Sequence, residues 1–260
     1  LSGVSLGRVA YETFPLTAEN DFLPDLDAIP EETARRAKFI YINYPNNPTG
    51  AVATKAFYEK LVAWAKTYEV GVVSDLAYGA LGYQGYENPS FLSTPGAKDV
   101  GIEFYTFSKT FNMAGWRLAF AAGNDQMIEA LNLIQDHLFV GIFPALQEAG
   151  IAALLDPKSE EAVAQLNATY DSRRDAFVQA AAKIGWQAFP SRGSFYAWMP
   201  VPEGYTSESF ADLLLEKAHV AVAPGKGFGP AGDAYVRIGL LVEPERLVEA
   251  VDRIANLHLF

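Results

Sequence analysis

Short apolar runs alternate with helix-patterned segments along this chain, and that alternation limits its fold more than any other feature. Phe39-Ile40-Tyr41-Ile42-Asn43-Tyr44 is an aromatic and β-branched run closed by a Pro/Asn turn cluster, the pattern of a buried strand. Thr54 then stands as an N-cap ahead of Phe57, Leu61, Trp64, Ala65 and Tyr68, which recur at the spacing of one helix face. Val70 to Ser74, Ile102 to Phe107 and Arg117 to Ala122 read as further strands. Apolar strands separated by helices predict an α/β protein whose mainly parallel sheet is buried on both faces.

Beyond Asp156-Pro157-Lys158-Ser159 the pattern changes. A long amphipathic helix is expected to about Ile184, with Val163, Leu166, Tyr170, Phe177, Ala181 and Ile184 on one stripe. After it come a strand (Ser194 to Met199), a helix (Ser207 to Lys217), two strands (Val220 to Ala223 and Ala234 to Leu240) and a closing helix from Pro244. The expected division is therefore residues 1–157 as a larger unit and 158–260 as a smaller α+β unit.

Composition narrows the function. Twenty Lys and Arg against 31 Asp and Glu leave a net charge of −11, which argues against non-specific binding to nucleic acid or to an anionic membrane. The absence of cysteine excludes disulfides, thiolate metal sites and cysteine nucleophiles. His137, His219 and His258 lie far apart, so no His-rich metal cluster is expected. No apolar run approaches the roughly 18 residues of a membrane span. The first residues, LSGVSLGRVAYETFPL, lack a basic stretch followed by an apolar core and do not read as a signal peptide.

Four stretches carry chemistry. In Tyr105-Thr106-Phe107-Ser108-Lys109-Thr110, with Arg117 further on, a lysine follows a strand and two hydroxyl residues. It thus stands where α/β sheets bind ligands. Desolvation there would suit Schiff-base chemistry, and Thr106, Ser108 and Arg117 would suit a phosphate. The same residues equally suit a surface lysine and a structural arginine. Asp75, in Ser74-Asp75-Leu76-Ala77-Tyr78, ends another strand. A carboxylate there is usually a helix cap or a solvated turn, but it can also hold a heterocyclic nitrogen protonated while Tyr78 donates to a ring oxygen. Tyr44-Pro45-Asn46-Asn47-Pro48-Thr49-Gly50 has the composition of a plain turn, yet it follows a strand directly, where an amide side chain can reach into a site. Arg237, in Tyr235-Val236-Arg237-Ile238-Gly239-Leu240, is a charge inside an apolar strand and implies either a buried acid or a substrate carboxylate as partner.

Taken in order over nearly the whole chain, NNPTG, SDxAY, SKTFNMAGWR and YVRIGL resemble the class I/II aminotransferases, fold-type-I enzymes dependent on pyridoxal 5′-phosphate. The resemblance implies a large cofactor-binding domain, incomplete at its amino end, and a small C-terminal domain. It implies that Lys109 forms the Schiff base with the cofactor and shuttles the proton at the substrate Cα. Asp75 would pair with the pyridinium nitrogen. Asn47 and Tyr78 would bond the ring's phenolic oxygen, and Ser108, Arg117 and Thr106 would hold the phosphate. Arg237 would clamp the substrate carboxylate, with Asn47 beside it. The family also implies a homodimer, a cytoplasmic location and amino-acid and 2-oxo-acid substrates.

The run SKTFNMAGWRLAFAAGN followed by LNLIQDHLFVGIFPALQ is similar to the Bacillus-type branch of methionine salvage, which converts 4-methylthio-2-oxobutanoate to methionine. Other fold-type-I activities, a C–S lyase or a racemase, share the lysine, aspartate and arginine, and so does an effector-sensing domain of a regulator. Family members carry a phosphate-binding Gly/Ser loop and a ring-stacking aromatic upstream of the NNPTG segment. Leu1 falls after that point, so the expectation is a C-terminal two-thirds that binds cofactor weakly by itself. Gly225-Lys226-Gly227-Phe228-Gly229 is not expected to bind a dinucleotide, because the third glycine of that fingerprint would fall on Pro230. It resembles the family's PGxxFG loop near the active site. Trp116, Trp186, Trp198 and Phe195 are expected in the core.

Overall fold

Successive apolar runs assemble the first of two sheets in the computed structural model, which describes residues 2–138 and 140–260. Helices α1 (Ser2–Leu6) and α2 (Glu31–Arg36) precede strand β1 (Phe39–Asn43). Helix α3 (Lys55–Tyr68) leads to β2 (Gly71–Asp75), and α4 (Ala97–Val100) to β3 (Gly101–Thr106). The short α5 (Phe107–Thr110) leads to β4 (Ala119–Gly123). The strand order is β1-β2-β3-β4, with β1, β2 and β3 mutually parallel and β4 antiparallel to β3. The sheet is thus mainly parallel, as the alternation predicts. Asn43 and Asp75 are paired at the carboxyl ends of β1 and β2, and Thr106 closes β3 beside them.

Helix α3 forms where the sequence places it. Thr54 Oγ1 accepts the Phe57 amide at 3.1 Å, and Glu69 ends the helix in the left-handed region. Phe57, Leu61 and Ala65 are buried against Ile40, Ile42, Val72 and Phe91, while Trp64 and Tyr68 are half-buried. The other face of the sheet differs from expectation. Period-two alternation sends Ile40 and Ile42 inward and leaves Phe39 and Tyr41 exposed, Tyr41 by 65%. With Val73, Ile102, Phe104 and residues of helix α6 (Asp125–Leu138), they line an open groove of about 760 Å³. A nearly continuous apolar run therefore has only one of its faces fully covered among the described residues.

Helix α7 (Pro144–Leu155) and the long α8 (Ser159–Lys183) lead into the second sheet. It consists of β5 (Tyr196–Pro200), β6 (Ala223–Pro224) and β7 (Tyr235–Gly239), in antiparallel order β5-β7-β6. Helix α9 (Ser207–Leu213) lies between β5 and β6 and runs on as a wider π turn over Leu214–Ala218; α10 (Pro244–Ala255) closes the chain. Phe177 and Ala181 of α8 pack with Trp186, Met199, Phe210 and Val251 in a core of their own. The expected strand from Val220 is shorter than its apolar pattern suggests, because the Val220 amide bonds the Leu214 carbonyl at 3.1 Å and closes the helix instead. Trp186, Trp198 and Phe195 are buried as expected, whereas Trp116 is 48% exposed, on a one-turn 3₁₀ segment (Ala114–Trp116) that has no buried residue.

Residues 191–195 stitch the two sheets together. Ser191 Oγ lies 3.1 Å from the Gly50 carbonyl, the Tyr83 amide bonds Arg192 O at 3.0 Å, and Tyr83 Oη donates to Ser194 O at 2.5 Å. Gly50 is required there: its φ is +70°, and an added Cβ would stand 2.1 Å from Ser191 Oγ.

Glu103 is the buried polar group on which the first core depends. Only 6% exposed, it accepts Ser74 Oγ (2.9 Å), the Phe91 amide (2.8 Å) and Ser90 Oγ (2.5 Å), so β2, β3 and the turn at residue 90 meet on one carboxylate. Removing it orphans three buried or half-buried donors. Glu103→Ala is expected to lower stability by about 3–5 kcal/mol and Glu103→Gln by less, read from urea midpoints at constant slope.

Candidate active site

Lys109 sits in α5 immediately after β3, where the chain turns from strand to helix. Thr106 caps that turn, its Oγ1 accepting the Ser108 amide at 3.2 Å. The Lys109 side chain is half-buried, and its Nζ stands 5.3 Å from the Phe195 ring centroid and 5.9 Å from that of Tyr78. It has no hydrogen bond or ion pair among the described residues. An ammonium held against aromatic faces, without a fixed acceptor, is open to a ligand.

From Lys109 a continuous set of contacts runs to the second sheet. The Tyr78 ring meets Phe195 edge-on at 5.2 Å and Tyr196 at 6.1 Å. Tyr196 lies beneath the Arg237 guanidinium, whose carbon is 4.1 Å from the ring centroid, and Phe228 offers a second ring at 4.7 Å. Arg237 Nη1 donates to Asn47 Oδ1 at 2.7 Å across 190 residues of sequence. The Asn47 amide in turn bonds Asn43 Oδ1 at 2.9 Å, and Asn43 Nδ2 donates to the Asp75 carbonyl at 3.0 Å. Of the two partners expected for Arg237, the buried acid is not there: no carboxylate lies within ion-pair distance among the described residues, and a neutral amide oxygen takes one of its five donors.

Electrostatics separate the roles of the polar groups. Burial pushes the Tyr78 phenol far above its ordinary value; Tyr196 and Asp75 add to that shift and the Arg237 charge opposes it. Tyr78 is therefore a hydrogen-bond donor throughout the neutral range. The Asp75 side chain reaches solvent, but loss of water around it raises its carboxyl above the ordinary aspartate value, opposed by the Ala77 amide. No cation pairs with it among the described residues. A protonated ring nitrogen would supply that missing charge.

The phosphate candidates are gathered less tightly. Thr106 Oγ1 and Ser108 Oγ are 2.9 Å apart at the end of β3. The return chain passes beside them, the Phe107 amide bonding Leu118 O at 3.2 Å. Arg117 itself is exposed in the left-handed region (φ 56°), and its Nη1 bonds the Ala114 carbonyl at 3.0 Å, so its guanidinium is not joined to the hydroxyl pair.

Four further residues belong to the cluster. Asn43 links Asp75 to Asn47, Phe195 and Tyr196 form its aromatic wall, and Phe228 covers Arg237. Phe195 carries the same apolar signature as any core ring. Phe228 gives a sharper hint, an aromatic flanked by glycines in a loop.

With this geometry in view, comparison with known proteins identifies the class. The chain belongs to the class I and II aminotransferases, whose family model matches residues 2–254. It is 56% identical over 259 residues to the L-glutamine–4-(methylsulfanyl)-2-oxobutanoate aminotransferase of Bacillus subtilis strain 168, covering 100% of this chain and 65% of that relative. It is 50% identical to the LL-diaminopimelate aminotransferase of Moorella thermoacetica, over 94% of this chain and 62% of the relative. Among solved structures, apo BacF from Bacillus subtilis superposes with a TM-score of 0.94 at 45% identity, over 99% of this chain and 65% of that one. The chain thus spans just under two thirds of the length of these proteins.

The raised Asp75 carboxyl has a consequence for stability. Its folded value lies above the unfolded one, so the ionised form is disfavoured by folding. The penalty is absent below the ordinary aspartate value and grows as pH rises from there through the raised value. Asp75→Asn should therefore match the parent near pH ~3 and be the more stable protein at about pH 7. Urea midpoints at the two pH values check this; a variant less stable than the parent at the higher pH would contradict it.

Proposed function

We propose that this chain is the cofactor- and substrate-binding part of a pyridoxal 5′-phosphate-dependent aminotransferase exchanging an amino group between an amino acid and a 2-oxo acid. The observation that carries the reading is that, among the described residues, a lysine and a carboxylate without ion-pair partners, a phenol held protonated and an arginine without a carboxylate are joined by one set of contacts. This donor set fits the cofactor: an amine for its carbonyl, a carboxylate for its ring nitrogen, donors for its phenolic oxygen and hydroxyls for its phosphate. When bound, the cofactor supplies an electron sink for the carbanion left by loss of the substrate Cα proton.

The rest is the work of the chain's own groups. Asp75 holds the proton on the ring nitrogen, and its raised carboxyl returns toward the ordinary range when that cation is present. Tyr78 donates from its phenol. Asn47, with Oδ1 already accepting from Arg237, has its amide protons left to donate. Lys109 takes and returns the proton at the substrate Cα. Arg237 receives the substrate carboxylate in a fork that a lysine cannot reproduce. Thr106 and Ser108 receive the phosphate, and Arg117 joins them once it releases Ala114 O. Residues 1–157 act as the larger, cofactor-binding domain and 158–260 as the smaller one. The working protein is a cytoplasmic homodimer, and its substrates are small metabolites, not nucleic acid or membrane.

The strong likeness to the Bacillus enzyme supports 4-methylthio-2-oxobutanoate as the amino acceptor, giving methionine as in methionine salvage. Likeness at up to 50% identity to LL-diaminopimelate aminotransferases makes that substrate the second to assay.

The covalent role of Lys109 has a direct test. Protein incubated with saturating pyridoxal 5′-phosphate and then reduced with borohydride should gain the mass of one cofactor on the peptide carrying Lys109. Lys109→Ala should gain none at that peptide; labelling spread over surface lysines, unchanged in the variant, would refute the assignment. Arg237→Lys should weaken amino-acid binding about tenfold or more while leaving cofactor affinity nearly unchanged.

A further inference from the structure

Two aromatic rings flank the Arg237 guanidinium. One donor goes to Asn47, and the charge lies over the rings of Tyr196 and Phe228 at 4.1 and 4.7 Å. Both distances fall well inside the range at which a ring face attracts a cation. The rings have different supports. Tyr196 stands on β5, packed against Phe195 at 4.9 Å. Phe228 stands at the tip of a turn, Gly225–Phe228, and is 42% exposed.

That turn is fastened at its base and open at its tip. An added Cβ on Gly225 would lie 2.2 Å from Gly232 O and 2.5 Å from Tyr235 O. The Lys226 amide bonds Ser207 Oγ at 3.2 Å, and Lys226 Nζ meets Glu208 Oε2 at 2.6 Å. Beyond the tip, Gly229 has φ +129° with nothing within 4 Å of an added Cβ. The Phe228 ring meets Trp198 edge-on, with centroids 6.0 Å apart, and also lies over the guanidinium. At 42% exposure the ring is only partly covered, so burial alone does not fix which way it faces. The contact with the guanidinium, 4.7 Å from the ring centroid, gives that direction a physical reason.

We infer that Phe228 is a positioning residue for carboxylate binding: its ring, with that of Tyr196, holds the Arg237 guanidinium and screens it from water, so that an incoming carboxylate meets a pre-oriented fork. The inference rests on Arg237 being the carboxylate clamp proposed above. It assigns to the glycine-flanked loop a part in substrate affinity that an aliphatic side chain of equal bulk cannot play, because an aliphatic chain has no ring quadrupole to attract the cation.

The test is titration calorimetry on the protein in saturating pyridoxal 5′-phosphate, with 4-methylsulfanylbutanoate as an unreactive acid probe and its primary amide as the uncharged control. Phe228→Leu should weaken binding of the acid roughly fivefold or more, and Phe228→Tyr should stay within about twofold of the parent. Amide binding and cofactor affinity should not change in either. Equal acid affinity in the leucine and tyrosine variants would overturn the inference, and so would an equal loss for acid and amide, which would make Phe228 a mere apolar wall. Phe228→Met repeats the aliphatic arm in case the leucine variant melts early. Arg237→Lys separates the two readings: if it binds the acid as the parent does, the clamp assignment fails first.

Discussion

A single hydrogen bond from a charged donor to a neutral acceptor, Arg237 Nη1 to Asn47 Oδ1, joins the two sheets at the point where the chemistry would occur. A carboxylate at 47 would have neutralised the arginine and closed its fork. An apolar residue would have left a half-buried cation with aromatic contacts alone. The amide does neither: it satisfies one donor and leaves the charge unspent. The conformation of the NNPTG loop, the Asn43 bridge and the aromatic wall all serve to bring that amide to that arginine.

The parallel sheet explains why the remaining groups converge. Parallel strands end on the same side, so Asn43, Asp75 and Thr106 arrive together, and the turn after β3 adds Lys109. Behind them Glu103 fixes β2 to β3 one residue before Asp75, from the opposite face of the sheet. A buried carboxyl with three donors serves structure there, while Asp75, with no cation beside it among the described residues, is left available for a ligand. Burial decides which carboxylate does which.

Much of this was legible in the residues themselves, and the failures have physical causes. Strands β1, β2, β3 and β7 lie where β-branched and aromatic runs predict them, and Thr54 caps the helix it precedes. Arg237 stood out as a charge in an apolar strand, but its partner did not, because nothing local ties it to an asparagine 190 positions away. Trp116 looked like core because bulk and apolarity are all a sequence records; the short turn that carries it buries nothing. Helices α6 and α7 leave many of their apolar residues exposed: α6 has no buried residue and α7 buries only Gly150, so apolar spacing in the sequence does not say whether a face finds a cover. Phe228 carried a signal in its flanking glycines, but only the position of the guanidinium gives that signal a meaning.

The aromatic face around Phe39 and Tyr41, uncovered among the described residues, also bears on how copies of this chain would meet. Two such faces attract at contact, while the net charge of −11 repels at longer range. In dilute buffer the repulsion reaches tens of ångströms. At about 1 M salt it shrinks to roughly 3 Å, shorter than a side chain, and no longer opposes the contact. For a chain that presents this strand face, acidity would thus act as a solubilising shell whose reach ionic strength sets.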